Sequence, residues 1–145
     1  MPQNRRARSA PCVLVLSDNE EIRSLVGAML ITCGYRMLLA DKAELALSLI
    51  HKPSKRIDLA IVDICMTGVD AAILARKFQA MRPRAGTLFL SRLIHREVVR
   101  FAIVDPVSGG LREQGLVKCV RQALDTVLAI DAESIGKPKT MSAGG

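Results

Sequence analysis

Short aliphatic runs that alternate with helix-spaced segments limit this chain to very few folds. Val13-Leu14-Val15-Leu16 and Leu59-Ala60-Ile61-Val62 are continuous apolar stretches, the form a strand takes when both its faces are buried. Residues 35–40 and Thr87-Leu88-Phe89-Leu90 have the same character, and residues 101–104 supply a fifth run. After the first run, Ile22, Leu25, Val26, Met29, Leu30 and Cys33 recur at helical spacing. The cap-forming cluster Ser17-Asp18-Asn19, backed by Glu20 and Glu21, opens that segment and Gly34 closes it. Asp41 can cap a second helix through Leu45, Leu49 and Ile50, ending before Pro53. Asp70 can cap a third through Leu74, Phe78 and Met81, stopped by Pro83 and Gly86. Residues 93–100 fit a short fourth helix. Residues 111–129 fit a long last one, with Leu116, Val117, Val120, Leu124, Val127 and Leu128 on one face.

Strict alternation predicts an α/β fold: a doubly wound, five-stranded parallel sheet with right-handed crossovers, helices on both faces and a shortened fourth helix. Residues 1–10 read as a basic N-terminal tail, 11–130 as one domain, and 131–145 as a C-terminal tail rich in Gly, Ser, Lys and Pro.

Composition narrows the function classes. Half of the residues are apolar, yet the chain holds only three Phe, one Tyr and no Trp. Its core is therefore aliphatic, and it lacks the stacking platforms that single-stranded nucleic acids require. The net charge of +7 does not gather into a stripe: Arg5, Arg6 and Arg8 precede the first strand, and the charges beyond residue 130 cancel. That distribution fits solvation better than nucleic-acid contact. Cys12, Cys33, Cys65 and Cys119 lie far apart without a close ligand pair, and neither His51 nor His95 completes one. They read as small buried hydrophobes in a reducing compartment. No apolar run approaches the roughly 20 residues of a membrane span, and the first residues lack the apolar stretch of a signal peptide. The expected location is the cytoplasm.

In a doubly wound sheet, ligands bind beyond the carboxyl ends of the strands. The polar residues fall there: Ser17 and Asp18 after the first strand, Asp63 after the third, Ser91 after the fourth and Asp105 after the fifth. Converging carboxylates repel unless a cation intervenes, and a hard ion such as Mg²⁺ takes oxygen ligands of this type. An aspartate so placed can act as a nucleophile toward phosphorus and form an acyl phosphate.

The segment Val13-Leu14-Val15-Leu16-Ser17-Asp18-Asn19-Glu20-Glu21-Ile22-Arg23 resembles the opening of response-regulator receiver domains of two-component signalling. Asp58-Leu59-Ala60-Ile61-Val62-Asp63-Ile64-Cys65-Met66-Thr67-Gly68-Val69-Asp70 resembles their phosphoacceptor segment, and Leu88-Phe89-Leu90-Ser91 their fourth strand. The resemblance spans about residues 11–129 and implies a flavodoxin-like fold of receiver type. It also implies that Asp63 is the phosphoacceptor and that Ser91 hydrogen-bonds a phosphoryl oxygen. Mg²⁺ would be held by Asp18, Asp63 and the backbone carbonyl of Cys65. The partner would be a histidine kinase or a histidine phosphotransfer protein, followed by a downstream protein, with a second copy of the chain also open as a partner. Self-catalysed phosphorylation is the only activity implied; no conventional enzyme chemistry is expected.

Two departures from the family pattern bear on the site. Ser17 stands where the first of two acids is expected, and Asp105-Pro106 stands where the family has Lys-Pro. A carboxylate 4 Å from a phosphorylated aspartate costs about 4 kcal/mol at an effective dielectric near 20. Thr67 and Ala71 replace a Pro and a Gly, and Phe101 falls one position from the family's switch aromatic. The alternative to a phosphoryl-accepting receiver is thus a pseudo-receiver, the same fold used as a phosphate-independent binding module.

Overall fold

The computed structural model describes residues 10–95, 98–104, 111–112 and 116–136, with side chains over 10–91 and 116–127. In chain order the elements are β1 (Cys12–Leu16), α1 (Glu20–Thr32), β2 (Arg36–Ala40), α2 (Ala43–Ile50) and β3 (Leu59–Asp63). They continue with α3 (Ala71–Met81), β4 (Gly86–His95), β5 (Val98–Val104), β6 (Leu111–Arg112) and α4 (Leu116–Gly136). One sheet holds all the strands in the order β2-β1-β3-β4-β5-β6. The first four are parallel. This is an α/β, flavodoxin-like arrangement, and the central strands β1 and β3 are buried along their full length.

Strand parity divides the core into two layers. Val13, Val15, Leu59, Ile61, Leu88 and Leu90 face one way, against Ile22, Val26 and Leu30 of α1 and Leu116, Val120 and Leu124 of α4. Leu14, Leu16, Ala60 and Val62 face the other way, against Ala46 and Ile50 of α2 and Leu74 and Phe78 of α3. Successive side chains on a strand point to opposite faces, so each continuous aliphatic run feeds both layers at once. At the amino ends of the strands, buried Asp58 accepts the Cys12 N–H at 2.9 Å and pairs with Arg56, which ties the start of β1 to that of β3.

Helix starts follow local chemistry. The Asn19 side chain accepts from the Ile22 N–H and caps α1, and the Asp70 carboxylate accepts from the Ala72 and Ile73 N–H groups to cap α3. Asp41 does not cap α2. That helix begins after Lys42, whose extended backbone makes it the cap position without a side-chain bond.

The carboxyl-terminal third departs most from expectation. The parallel part of the sheet holds four strands, not five, and no fourth helix forms over residues 93–100 among those described. Instead β4 runs on to His95 and β5 returns antiparallel beside it, pairing His95 with Val98 and Phe89 with Val104. A parallel return needs a crossover of a dozen or more residues, whereas antiparallel strands join through a short turn. Val98, Val99, Phe101, Ile103 and Val104 are also residues that strands favour over helices. The last helix starts at Leu116 rather than 111, because Leu111 and Arg112 form β6 against β5. It runs to Gly136, past the expected helix end at residue 129.

Thr87 is buried, and its hydroxyl has no hydrogen-bond partner among the described residues. An unsatisfied buried polar group costs about 1–3 kcal/mol, so Thr87→Val, which keeps the shape and removes the hydroxyl, is expected to raise the thermal midpoint. A fall in Tm on differential scanning calorimetry would contradict this.

Candidate functional site

The carboxyl ends of β1 and β3 lie side by side in the middle of the sheet, and both lead directly into polar residues. Asp63 is the last residue of β3 and is 1 % exposed. Ser17, the first residue after β1, is fully buried, and its hydroxyl donates to Asp63 Oδ2 at 2.7 Å. The Cys65 N–H donates to Asp63 Oδ1 at 2.8 Å. The acid is thus clasped from both sides by neutral donors, which is how a buried carboxylate avoids the penalty of desolvation.

Ser17 is itself held at every polar atom. Its N–H donates to the Ala40 carbonyl at 3.1 Å, and its hydroxyl accepts the Asn19 N–H at 3.2 Å. Its carbonyl accepts from Arg23 Nη1 at 2.7 Å. Arg23 lies one turn beyond Asn19 in α1, and its own N–H donates to the Asn19 carbonyl. No role for Arg23 is visible in the sequence, although a cation four residues past the cap position is placed to reach back to the loop it follows.

The second carboxylate is looser. Asp18 is exposed, and its Oδ2 accepts the Thr67 N–H over a long 3.4 Å, which links the β1–α1 loop to the β3–α3 loop. Gly68, with φ +74°, lets the β3–α3 loop turn where a side chain would be strained. Ser91 lies on the neighbouring strand, one residue past Leu90, the register partner of Asp63, and is half-buried. Leu90 also accepts the Ile64 N–H at 3.0 Å, which fixes the backbone leaving Asp63. Ser17, Asp18, Asp63 and Cys65 therefore gather at the carboxyl ends of β1 and β3, and Ser91 lies on the adjacent β4, one residue past the register partner of Asp63. Asp105 lies outside the described residues, and so does the side chain of Phe101.

The cysteines divide. Cys12 and Cys119 are buried as expected, Cys33 is half-buried, and Cys65 is exposed because it follows Asp63 into the loop. Burial pushes the Cys12 thiol up, against the opposing pull of Arg36. Among the described residues no three His, Cys, Asp or Glu side chains gather into a metal cage, and no helix is long and apolar enough to cross a membrane.

No family model matches the sequence. A 58-residue stretch, 40% of the chain, is 38% identical to the two-component response regulator ARR2 of Arabidopsis thaliana and spans 9% of that protein. Among solved structures, a response regulator receiver protein from Pseudomonas putida is 32% identical, with a TM-score of 0.51 over 57% of this chain and 68% of that one. The response regulator TrrA from Thermotoga maritima, in complex with Mg²⁺-BeF, is 30% identical, with a TM-score of 0.51 over 56% of this chain and 69% of that one. A CheY-like receiver domain from Methanospirillum hungatei JF-1 covers 83% of this chain and 98% of its own at a TM-score of 0.65; at 19% identity it speaks to the fold alone.

Proposed function

This chain belongs to the response-regulator receiver family, and we propose that it works as a phosphoryl-accepting receiver domain with Asp63 as the acceptor. The observation that supports this most strongly is a buried carboxylate at the end of central β3, oriented by two hydrogen bonds and flanked by Asp18 and Ser91. In the transfer, an Asp63 oxygen attacks phosphorus in line with the leaving atom. The bond from phosphorus to a histidine nitrogen of the donor breaks, and the imidazole keeps the electron pair and takes up a proton. With acetyl phosphate the leaving group is acetate. The Cys65 N–H remains on the second carboxylate oxygen, and the Ser91 hydroxyl is the donor for a phosphoryl oxygen.

Mg²⁺ keeps several of its waters and needs only one or two carboxylates together with phosphoryl oxygens. Asp18, Asp63 and the Cys65 carbonyl suit that demand, and Ser17 makes the pocket one charge poorer than a pair of acids would. When bound, the ion would offset the negative charge gathered between carboxylate and phosphoryl group. The donor would be a histidine kinase or histidine phosphotransfer protein in the cytoplasm, and the signal would pass on through protein contact.

Incubation with Mg²⁺ and acetyl phosphate is expected to add one phosphoryl group to the intact mass, and Asp63→Asn is expected to add none. The Ser17 clasp favours a second reading, since a neutral hydroxyl already holds one oxygen of Asp63. In that case the domain is a phosphate-independent binding module, and no mass gain occurs at any donor concentration.

A further inference from the structure

Strand β2 forms one outer edge of the sheet, and its main chain is left half-paired. The Arg36 N–H donates to the Pro11 carbonyl, and the Ala40 carbonyl accepts the Ser17 N–H. Residues 36, 38 and 40 therefore direct their peptide groups toward β1, and the alternation of a strand turns those of Met37 and Leu39 outward. Among the described residues β2 has a strand neighbour on the β1 side alone, so no strand lies against these outward groups. Edges of this kind are usually blunted by lysine, proline, a bulge or extreme shortness. The opposite edge, β6, is only two residues long. In contrast β2 reads Arg-Met-Leu-Leu-Ala, and Leu39 is 44 % exposed. Helix α1 lies over the same side chains: a Cβ built at Gly27 would meet Met37 Cε at 3.3 Å and Leu39 Cδ2 at 3.9 Å. Ile31, one turn further along α1, is 63 % exposed and extends the apolar border.

We propose that a second copy of this chain docks here, β2 against β2, in a two-fold antiparallel pair centred on Leu38. The register is self-consistent. It sets Met37 opposite Leu39 of the second copy and Leu39 opposite Met37, so the outward peptide groups of each copy meet those of the other. The twofold axis makes both halves identical, as an isologous contact requires. Charge agrees with it. Arg36 opens the strand and Asp41 follows its end, so each Arg36 lies beside the Ala40 and Asp41 end of the other copy, and the two arginines are kept apart. So short a seam falls below the roughly 1,200 Å² of a standard interface, and the dimer is accordingly weak and concentration-dependent.

Sedimentation velocity from micromolar to near-millimolar protein tests this, with hydrogen exchange over the same series. The wild-type chain should shift from monomer to dimer while the amides of Met37 and Leu39 gain protection. Leu39→Lys should stay monomeric and Ile73→Lys, an equally exposed site on α3, should dimerise like the wild type. A wild-type monomer throughout, protection that ignores concentration, a Leu39→Lys dimer or an Ile73→Lys monomer would each overturn the proposal. The exchange measurement decides the matter even if a variant folds poorly.

Discussion

Phe78→Ala should lower stability by about 3–5 kcal/mol and bring the urea midpoint down without changing the slope. Phe78 is 2 % exposed and is the largest fully buried side chain among the described residues. It projects from α3 into the layer formed by Leu14, Leu16, Ala60 and Val62, beside Ile50 and Leu74. The layer is built mostly of Leu, Ile, Val and Ala, with Met66 in it and Met81 and Phe89 packed against it, and such close-packed interiors relax only partly around a truncation. The loss is then a transfer term plus a cavity term. Native domains are stable by only about 5–15 kcal/mol, so one truncation at this position removes a large share of the total. The Phe78 carbonyl also accepts the Arg82 N–H that ends α3, so loosening the helix here loosens the segment that leads into β4. A change below about 1.5 kcal/mol, the range of volume-conserving swaps, would mean that this layer repacks freely.

Ser17→Asp should have an effect of similar size, but one that depends on divalent metal. In the wild type a neutral hydroxyl sits 2.7 Å from Asp63 Oδ2, and both residues are buried. A second carboxylate there removes a donor and adds a like charge. At about 4 Å and an effective dielectric near 20, the repulsion is roughly 4 kcal/mol before screening. In EDTA the variant should melt well below the wild type. Added Mg²⁺ should recover most of the difference and stabilise the variant far more than the wild type, since a ligand that binds only the folded state shifts stability by mass action. Equal Mg²⁺ responses in the two proteins would show that Ser17 does not set the charge of the pocket.

The sequence made the amino-terminal two-thirds legible for a definite physical reason. Where a strand is buried on both faces its residues are uniformly apolar, and Val13 to Leu16 and Leu59 to Val62 are both of this kind. Asn19 and Asp70 announce the helices that follow, because a cap is a local hydrogen bond that needs only the nearest residues. The carboxyl-terminal third lacks such local determinants. Residues 93–100 mix apolar and charged side chains at spacings that suit a helix or a strand, and β-branched enrichment is a weak guide unless the pairing partner is known. What decides between them is a tertiary contact, the pairing of Ser91 with Ala102 and of Arg92 with Phe101 across the hairpin.

The site divides along the same line. Asp63 and Asp18 could be placed from strand ends alone, whereas Ser91, expected to end its strand, lies inside β4, which runs on to His95. The Ser17 clasp joins residues 46 positions apart, and the hold of Arg23 on the Ser17 carbonyl depends on the exit angle of α1. Neither is written in local spacing. Ser17 reads in the sequence as a missing acid, and in the fold it is also a hydrogen-bond donor to Asp63.

Reductive trapping tests the central claim most directly. After exposure to Mg²⁺ and acetyl phosphate, borohydride converts an aspartyl phosphate to homoserine, and peptide mass spectrometry locates the changed residue. The expected result is homoserine at position 63, lost in Asp63→Asn. Trapping at Asp18 instead, or at no aspartate while a known receiver is labelled in parallel, would contradict Asp63 as the phosphoacceptor.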